Sequence, residues 1–205
     1  MKDKTTNGKF LPLIEKFYSI QGEGYHTGEA AYFVRLGGCD IGCKWCDTKF
    51  SWQSDNQLTK TDEIIEDIVK TSAKALVVTG GEPLIYNLDY LCFLARKNNI
   101  KTFLETAGNH PLTGQWDWIC LSPKIINPAY DNIFHMADEL KVIIDENLDF
   151  KWAIENAKKV KSGCKLFLQP EWSKYETIIH EIVTFVKENP IWKISLQSHK
   201  FMHIP

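Results

Sequence analysis

The stretch Ala31-Tyr32-Phe33-Val34-Arg35-Leu36-Gly37-Gly38-Cys39-Asp40-Ile41-Gly42-Cys43-Lys44-Trp45-Cys46-Asp47-Thr48 decides the fold. Its first seven residues form a near-continuous apolar run of strand length, closed by two glycines. A loop with three cysteines in the spacing C-x₃-C-x₂-C follows. In barrel architectures chemistry collects in loops at the C-terminal ends of the strands. A four-iron cluster held by protein alone normally takes four cysteines, one per iron. Three thiolates leave one iron with an open position that can bind and activate a small molecule.

Similar apolar runs recur at 75–80 (ALVVTG), 101–106 (KTFLET), 116–122 (WDWICLS), 139–144 (ELKVII), 164–169 (CKLFLQ) and 192–197 (WKISLQ). Helical patterns lie between several of them, at 59–74, 87–99, 146–160 and 172–189. In the first, Ile64, Ile65 and Ile68 share a face, and Thr61 and Asp62 suit an N-terminal cap. Residues 123–137 lack a helical period, so that crossover is expected to be irregular. Apolar strands alternating with helices indicate a parallel sheet covered by helices. A complete eightfold barrel typically takes ~250 residues, so the expected fold is α/β, a partial TIM-like barrel. Its polar strand ends, including Glu105-Thr106, should meet on one rim.

The 205 residues are expected to form one domain, with residues 1–10 as a flexible lead-in. A net charge of −2 argues against a nucleic-acid partner. No run approaches the roughly 18 apolar residues of a membrane span. The start, MKDKTTNGKFLP, lacks the apolar core of a secretory signal, which points to the cytoplasm. Cys92, Cys120 and Cys164 read as small buried hydrophobes.

The cysteine loop leaves alternatives open. A structural zinc site would need a fourth ligand, for which His26 is available, but the sequence has no second ligand hook. A ferredoxin-like electron carrier would need a remote cysteine. The strand end Thr79-Gly80-Gly81-Glu82-Pro83 favours the open cluster, since two glycines let backbone approach a ligand closely. The pair C-x₃-C-x₂-C and G-G-E-P resembles the radical S-adenosylmethionine (SAM) superfamily. A glycyl-radical activating enzyme shares the cysteine spacing. It gives no reason, however, for Ser19-Ile20-Gln21-Gly22-Glu23-Gly24. With F-x-R-x-x-G-C at 33–39, C-D-T at 46–48, E-T at 105–106, S-P-K at 122–124, Q-P at 169–170 and a final Pro205, that segment resembles the 7-carboxy-7-deazaguanine synthases.

The resemblance implies conversion of 6-carboxy-5,6,7,8-tetrahydropterin to 7-carboxy-7-deazaguanine with loss of ammonia, in queuosine biosynthesis. It implies a 4Fe–4S cluster on Cys39, Cys43 and Cys46, Mg²⁺ on Thr48, and SAM that is regenerated. An external donor of flavodoxin or ferredoxin type and a homodimer follow from it too. Implied SAM contacts are Trp45, Cys46, Asp47, Gly81, Ser122, Pro123, Lys124, Gln169, Pro170, Glu171 and Trp172. Implied substrate contacts are Ile20, Gln21, Gly22, Glu23, Arg35, Thr79, His199 and Pro205. Arg35 suits a carboxylate through its planar fork, and Glu23 suits the guanidine-like edge of a pterin. The terminal carboxylate of Pro205 is expected to reach the substrate. Adding one residue after it should then raise the substrate KM or abolish turnover, and an extended chain with unchanged steady-state kinetics would refute that role.

Overall fold

The computed structural model describes residues 6–53 and 57–205. Nine strands form one sheet in the order β3-β1-β2-β4-β5-β6-β7-β8-β9. Seven run parallel: β2 (Ala30–Leu36), β4 (Ala75–Gly80), β5 (Lys101–Thr106), β6 (Trp118–Leu121), β7 (Glu139–Ile144), β8 (Lys165–Pro170) and β9 (Trp192–Ile194). They are the seven apolar runs. The outermost strands do not pair with each other, so the sheet is an open, partial barrel.

Two strands escape the apolar-run reading. β1 (Phe10–Ile20) lies antiparallel to β2, and β3 (Leu58–Lys60) antiparallel to the start of β1. Pro12, Glu15 and Lys16 interrupt the apolar signal of β1. Most of its residues remain half-buried, so pairing with β2 defines it more than hydrophobicity does. Of the lead-in, residues 1–5 lie outside the described residues, and Gly8–Lys9 are anchored. Thr61 donates from Oγ1 to the Gly8 carbonyl at 2.6 Å and from its backbone N–H to Lys9 at 3.0 Å. That bond corrects the capping expectation, because α1 (Thr61–Val69) starts with no side-chain cap.

The other helices are α2 (Asp89–Lys97), α3 (Asp131–Met136), α4 (Leu148–Ala157), α5 (Tyr175–Glu188) and α6 (Ser198–Met202). α3 falls within the crossover expected to be irregular; six residues are too few to display a helical period, yet Ile133 and Phe134 are buried. The strand expected over 192–197 stops at Ile194, and Ser195 to Gln197 turn toward the site.

Side chains alternate across a strand, so each strand feeds two environments. Val34, Leu36, Leu76, Val78, Leu104, Leu121, Leu140, Val142 and Leu168 join one core with Ile64 and Ile68 of α1, Leu91 of α2 and Ile182 of α5. A smaller cluster of Ala31, Phe33, Ala75, Val77 and Phe103 occupies the opposite, inner face, with Phe17 and Trp118 against it. Arg35, Thr79, Glu105, Lys141 and Gln169 fall on the inner phase of their strands. The period of two thus separates a dry, helix-covered side from an inner face that carries the polar groups.

Candidate active site

The cysteine loop leaves β2 and packs directly on the glycines that end β4. The Gly81 N–H donates to the Leu36 carbonyl at 2.9 Å, and the Glu82 N–H to the Gly38 carbonyl at 2.8 Å. A Cβ on Gly81 would sit 2.0 Å from the Gly38 oxygen and 2.9 Å from the Cys39 Cβ. Glu82, 1 % exposed, pins the underside. Its Oε1 accepts from the Leu84 N–H and Thr106 Oγ1, and its Oε2 from the Ala107 N–H. Burial pushes its carboxyl up despite these bonds. Asp40 is held from the other side by Asn109 and His110.

Cys39, Cys43 and Cys46 are free thiols that line one cavity of about 200 Å³. The Trp52 Nε1–H donates to Cys46 Sγ at 3.3 Å. Among the described residues, no three His, Cys, Asp or Glu groups gather closely enough to share a single ion. A cubane needs no such convergence, because each thiolate binds its own iron. His26 stacks on Phe103 at 4.4 Å and does not line this cavity. Three thiols around one cavity, over glycines whose Cβ positions the loop backbone fills, fit a cluster with three protein ligands.

Trp45, Cys46, Asp47, Gly81, Ser122, Lys124, Gln169, Pro170, Glu171 and Trp172 line the same cavity. Pro123 is the exception; it is buried and does not line the wall, because its neighbours Ser122 and Lys124 turn inward instead. Lys124 Nζ donates to Ser122 Oγ at 2.6 Å and lies 5.1 Å from the centre of the Trp45 ring. Burial holds its pKa below the usual lysine value. The Glu171 carboxylate caps the short turn at Trp172–Lys174, accepting from the Lys174 N–H.

A second cavity of about 190 Å³ adjoins the first. All eight expected substrate contacts line it: Ile20, Gln21, Gly22, Glu23, Arg35, Thr79, His199 and Pro205. Phe17, Phe33 and Val77 supply its apolar wall. Arg35 Nε donates to Glu15 at 2.6 Å, which orients the guanidinium from β1. Gly22 admits His199, whose Nδ1 would lie 2.2 Å from an added Cβ. Burial pushes the His199 pKa down, favouring the neutral ring. Ser19 Oγ donates to a terminal oxygen of Pro205 at 3.2 Å.

Glu23, Asp47, Thr48, Thr79, Gly80 and Glu105 line both cavities and form their common wall. The Glu23 carboxylate is already engaged on both oxygens, by Lys141 Nζ at 2.6 Å and Gln197 Nε2 at 2.8 Å. Burial would push it up; the Lys141 charge and these bonds prevail and hold it low. Lys141, with its side chain 5 % exposed, also donates to Glu105 Oε2 at 2.9 Å. Asp47 accepts from Gln197 and Lys200, each at 2.9 Å. Lys141, Gln197 and Lys200 are participants that sequence reasoning missed. Lys141 had a legible signal, a lone cation inside the apolar run at 139–144, like Arg35 in the run at 31–37.

Known proteins agree with this geometry. A family model described as the radical SAM superfamily matches residues 33–167. The 7-carboxy-7-deazaguanine synthase of Flavobacterium psychrophilum is 51 % identical over 97 % of this chain and 94 % of its own length. That of Synechocystis is 41 % identical over 94 % and 93 %. The crystal structure of QueE from Escherichia coli superposes with a TM-score of 0.82 at 28 % identity, covering 96 % of this chain and 97 % of that one. With a family model over residues 33–167 and relatives 51 % and 41 % identical over nearly its full length, the chain, whose cysteine loop is seated on a Gly-Gly strand end, belongs to the 7-carboxy-7-deazaguanine synthase family of the radical SAM superfamily.

Proposed function

We propose that this chain is a radical SAM lyase that converts 6-carboxy-5,6,7,8-tetrahydropterin to 7-carboxy-7-deazaguanine with loss of ammonia. The observation that carries the reading is the common wall: a cavity lined by three cysteines opens directly beside one lined by Arg35, His199 and Pro205. Hydrogen abstraction demands such contact between cofactor and substrate chambers. When bound, the cluster and SAM supply the abstracting radical. The protein's part is to bind, orient and exclude water.

In this reading Arg35, braced by Glu15, presents its remaining guanidinium edge to the substrate carboxylate. The backbone of Ile20–Gly22 lines the place of the bicyclic ring. Lys124 and Trp45 stand on the cofactor side, with Gln169–Trp172 toward the adenosine. Glu23 already accepts one bond on each oxygen, from Lys141 and Gln197, and the remaining lone pairs can accept from the pterin edge. Those two donors hold the carboxylate in place as a charged wall of the substrate cavity. The Thr48 hydroxyl lies at the junction of the cavities, 3.6 Å from Cys46 Sγ. A lone hydroxyl holds Mg²⁺ poorly, so water and the substrate carboxylate complete an oxygen octahedron in this proposal. An external electron donor, a homodimer and a cytoplasmic setting belong to the same reading; among the described residues no helix is long and apolar enough to cross a membrane.

Anaerobic reconstitution is the test. Wild-type protein should take up about four irons per chain, cleave SAM reductively, and yield a deazapurine from carboxytetrahydropterin with dithionite and Mg²⁺. Cys43→Ala should lose the iron and all product. A reconstituted wild type that cleaves SAM but makes no deazapurine would sink the substrate assignment and spare the superfamily one.

A further inference from the structure

We infer that Gln197 is a positioning residue that locks the cofactor chamber to the substrate chamber. It is 7 % exposed and stands just before α6, far in sequence from the two carboxylates it joins. Its Nε2 donates to Glu23 Oε1 at 2.8 Å, in the loop after β1. The same nitrogen donates to Asp47 Oδ2 at 2.9 Å, next to the last cluster cysteine. Its Oε1 accepts from Lys200 Nζ at 3.0 Å, and that ammonium also reaches Asp47 at 2.9 Å.

An amide is the neutral side chain suited to this place. It has two N–H donors on one nitrogen, one for each of two carboxylates, and an acceptor for the cation beside them. Glu23 and Asp47 belong to the wall between the cavities, so fixing both fixes the span across which a hydrogen atom must pass. The adjoining residues fasten the same corner. The Ser198 N–H and Oγ–H both donate to the Gly22 carbonyl at 2.9 Å. Ser195 Oγ receives the Gly24 N–H at 2.9 Å and donates to Gln169 at 2.7 Å. The segment 195–200 thus ties the substrate loop, the cysteine loop and the end of β8 together, and Gln197 bonds to two of the three carboxylates that line both cavities, Glu23 and Asp47.

The inference rests on the proposed reaction, and its test separates the two. Gln197→Ala and Gln197→Glu are compared with wild type for iron content, KM for carboxytetrahydropterin, deazapurine formed and 5′-deoxyadenosine released without product. Gln197→Glu keeps the shape and aims a carboxylate at two others. Both variants are expected to keep wild-type iron. Each should release at least about tenfold more 5′-deoxyadenosine per product, with a raised KM, and Gln197→Glu should be no better than Gln197→Ala. Gln197→Glu with wild-type coupling and KM would overturn the inference, because shape alone would then suffice. Equal loss of iron and of both products in each variant would overturn it too, as a purely structural role. Failure of the wild type to make deazapurine strikes the proposed function instead.

Discussion

Lys141→Met should destabilise the chain by about 3–5 kcal/mol, the usual cost of removing one partner from a buried ion pair. The substitution preserves much of the volume, so the loss is chiefly electrostatic. Lys141 holds Glu23 and Glu105 at 2.6 and 2.9 Å, with its own side chain almost wholly out of water. Without it, the two carboxylates lose the cation that bridges them. Urea unfolding at neutral pH measures the loss, and a shift below about 1 kcal/mol would show that solvent already screens the pair.

The pH dependence has a definite sign. In the native protein Glu23 titrates below its ordinary value of 4.5, so its stabilising contribution is present above that pH and fades as pH falls through the native value. In Lys141→Met burial acts unopposed by the lysine and moves the native-state pKa of Glu23 the other way. The variant then loses stability as pH rises. The gap between the two proteins should be widest near neutrality and shrink below about pH 4.5. Turnover should also drop by about 100-fold or more, since both carboxylates line the wall between the chambers and misplacement of about 1 Å is enough for that loss.

Gly81→Ala should abolish cluster incorporation. The added methyl would lie 2.0 Å from the Gly38 oxygen, 2.6 Å from its carbonyl carbon and 2.9 Å from the Cys39 Cβ. None of these is the free end of a flexible side chain, so the cysteine loop must move. The Gly38 carbonyl is also the acceptor for the Glu82 N–H. Overpacking costs roughly 1–3 kcal/mol, and a lost buried hydrogen bond adds about 1–3 kcal/mol. Gly42→Ala is the contrast within the same loop. It has a φ of 71° but nothing within 4 Å of its added Cβ, so it should cost only the left-handed penalty of about 1–2 kcal/mol. Iron per chain after reconstitution checks both variants. Full iron in Gly81→Ala would show that the loop can be reseated without its glycine contact.

Much of this was legible in the chain. The seven parallel strands carry apolar runs because one face packs under the helices and the inner face keeps an apolar cluster beside its polar strand ends, and that signal survives in one dimension. The three cysteines are close in sequence, so the capacity for an open iron was legible too. Arg35 stood out as a lone cation inside a strand. β1 and β3 were not legible, because pairing with a neighbour defines them more than burial does. The helix at 131–136 was too short to repeat its own period.

What the sequence determined by itself, then, is the class of chemistry and the set of residues able to serve it. Only the tertiary structure decided how those residues are occupied. The carboxylate of Glu23 was legible as a ligand partner, but that Lys141 and Gln197 each donate to one of its oxygens was not. Asp47 is tied to Gln197 and Lys200, about 150 residues away along the chain. Such pairings join side chains from different strands and loops at distances of about 3 Å, and no local pattern encodes them. They follow from the curvature of the sheet, which turns the polar phases of separate strands onto one wall.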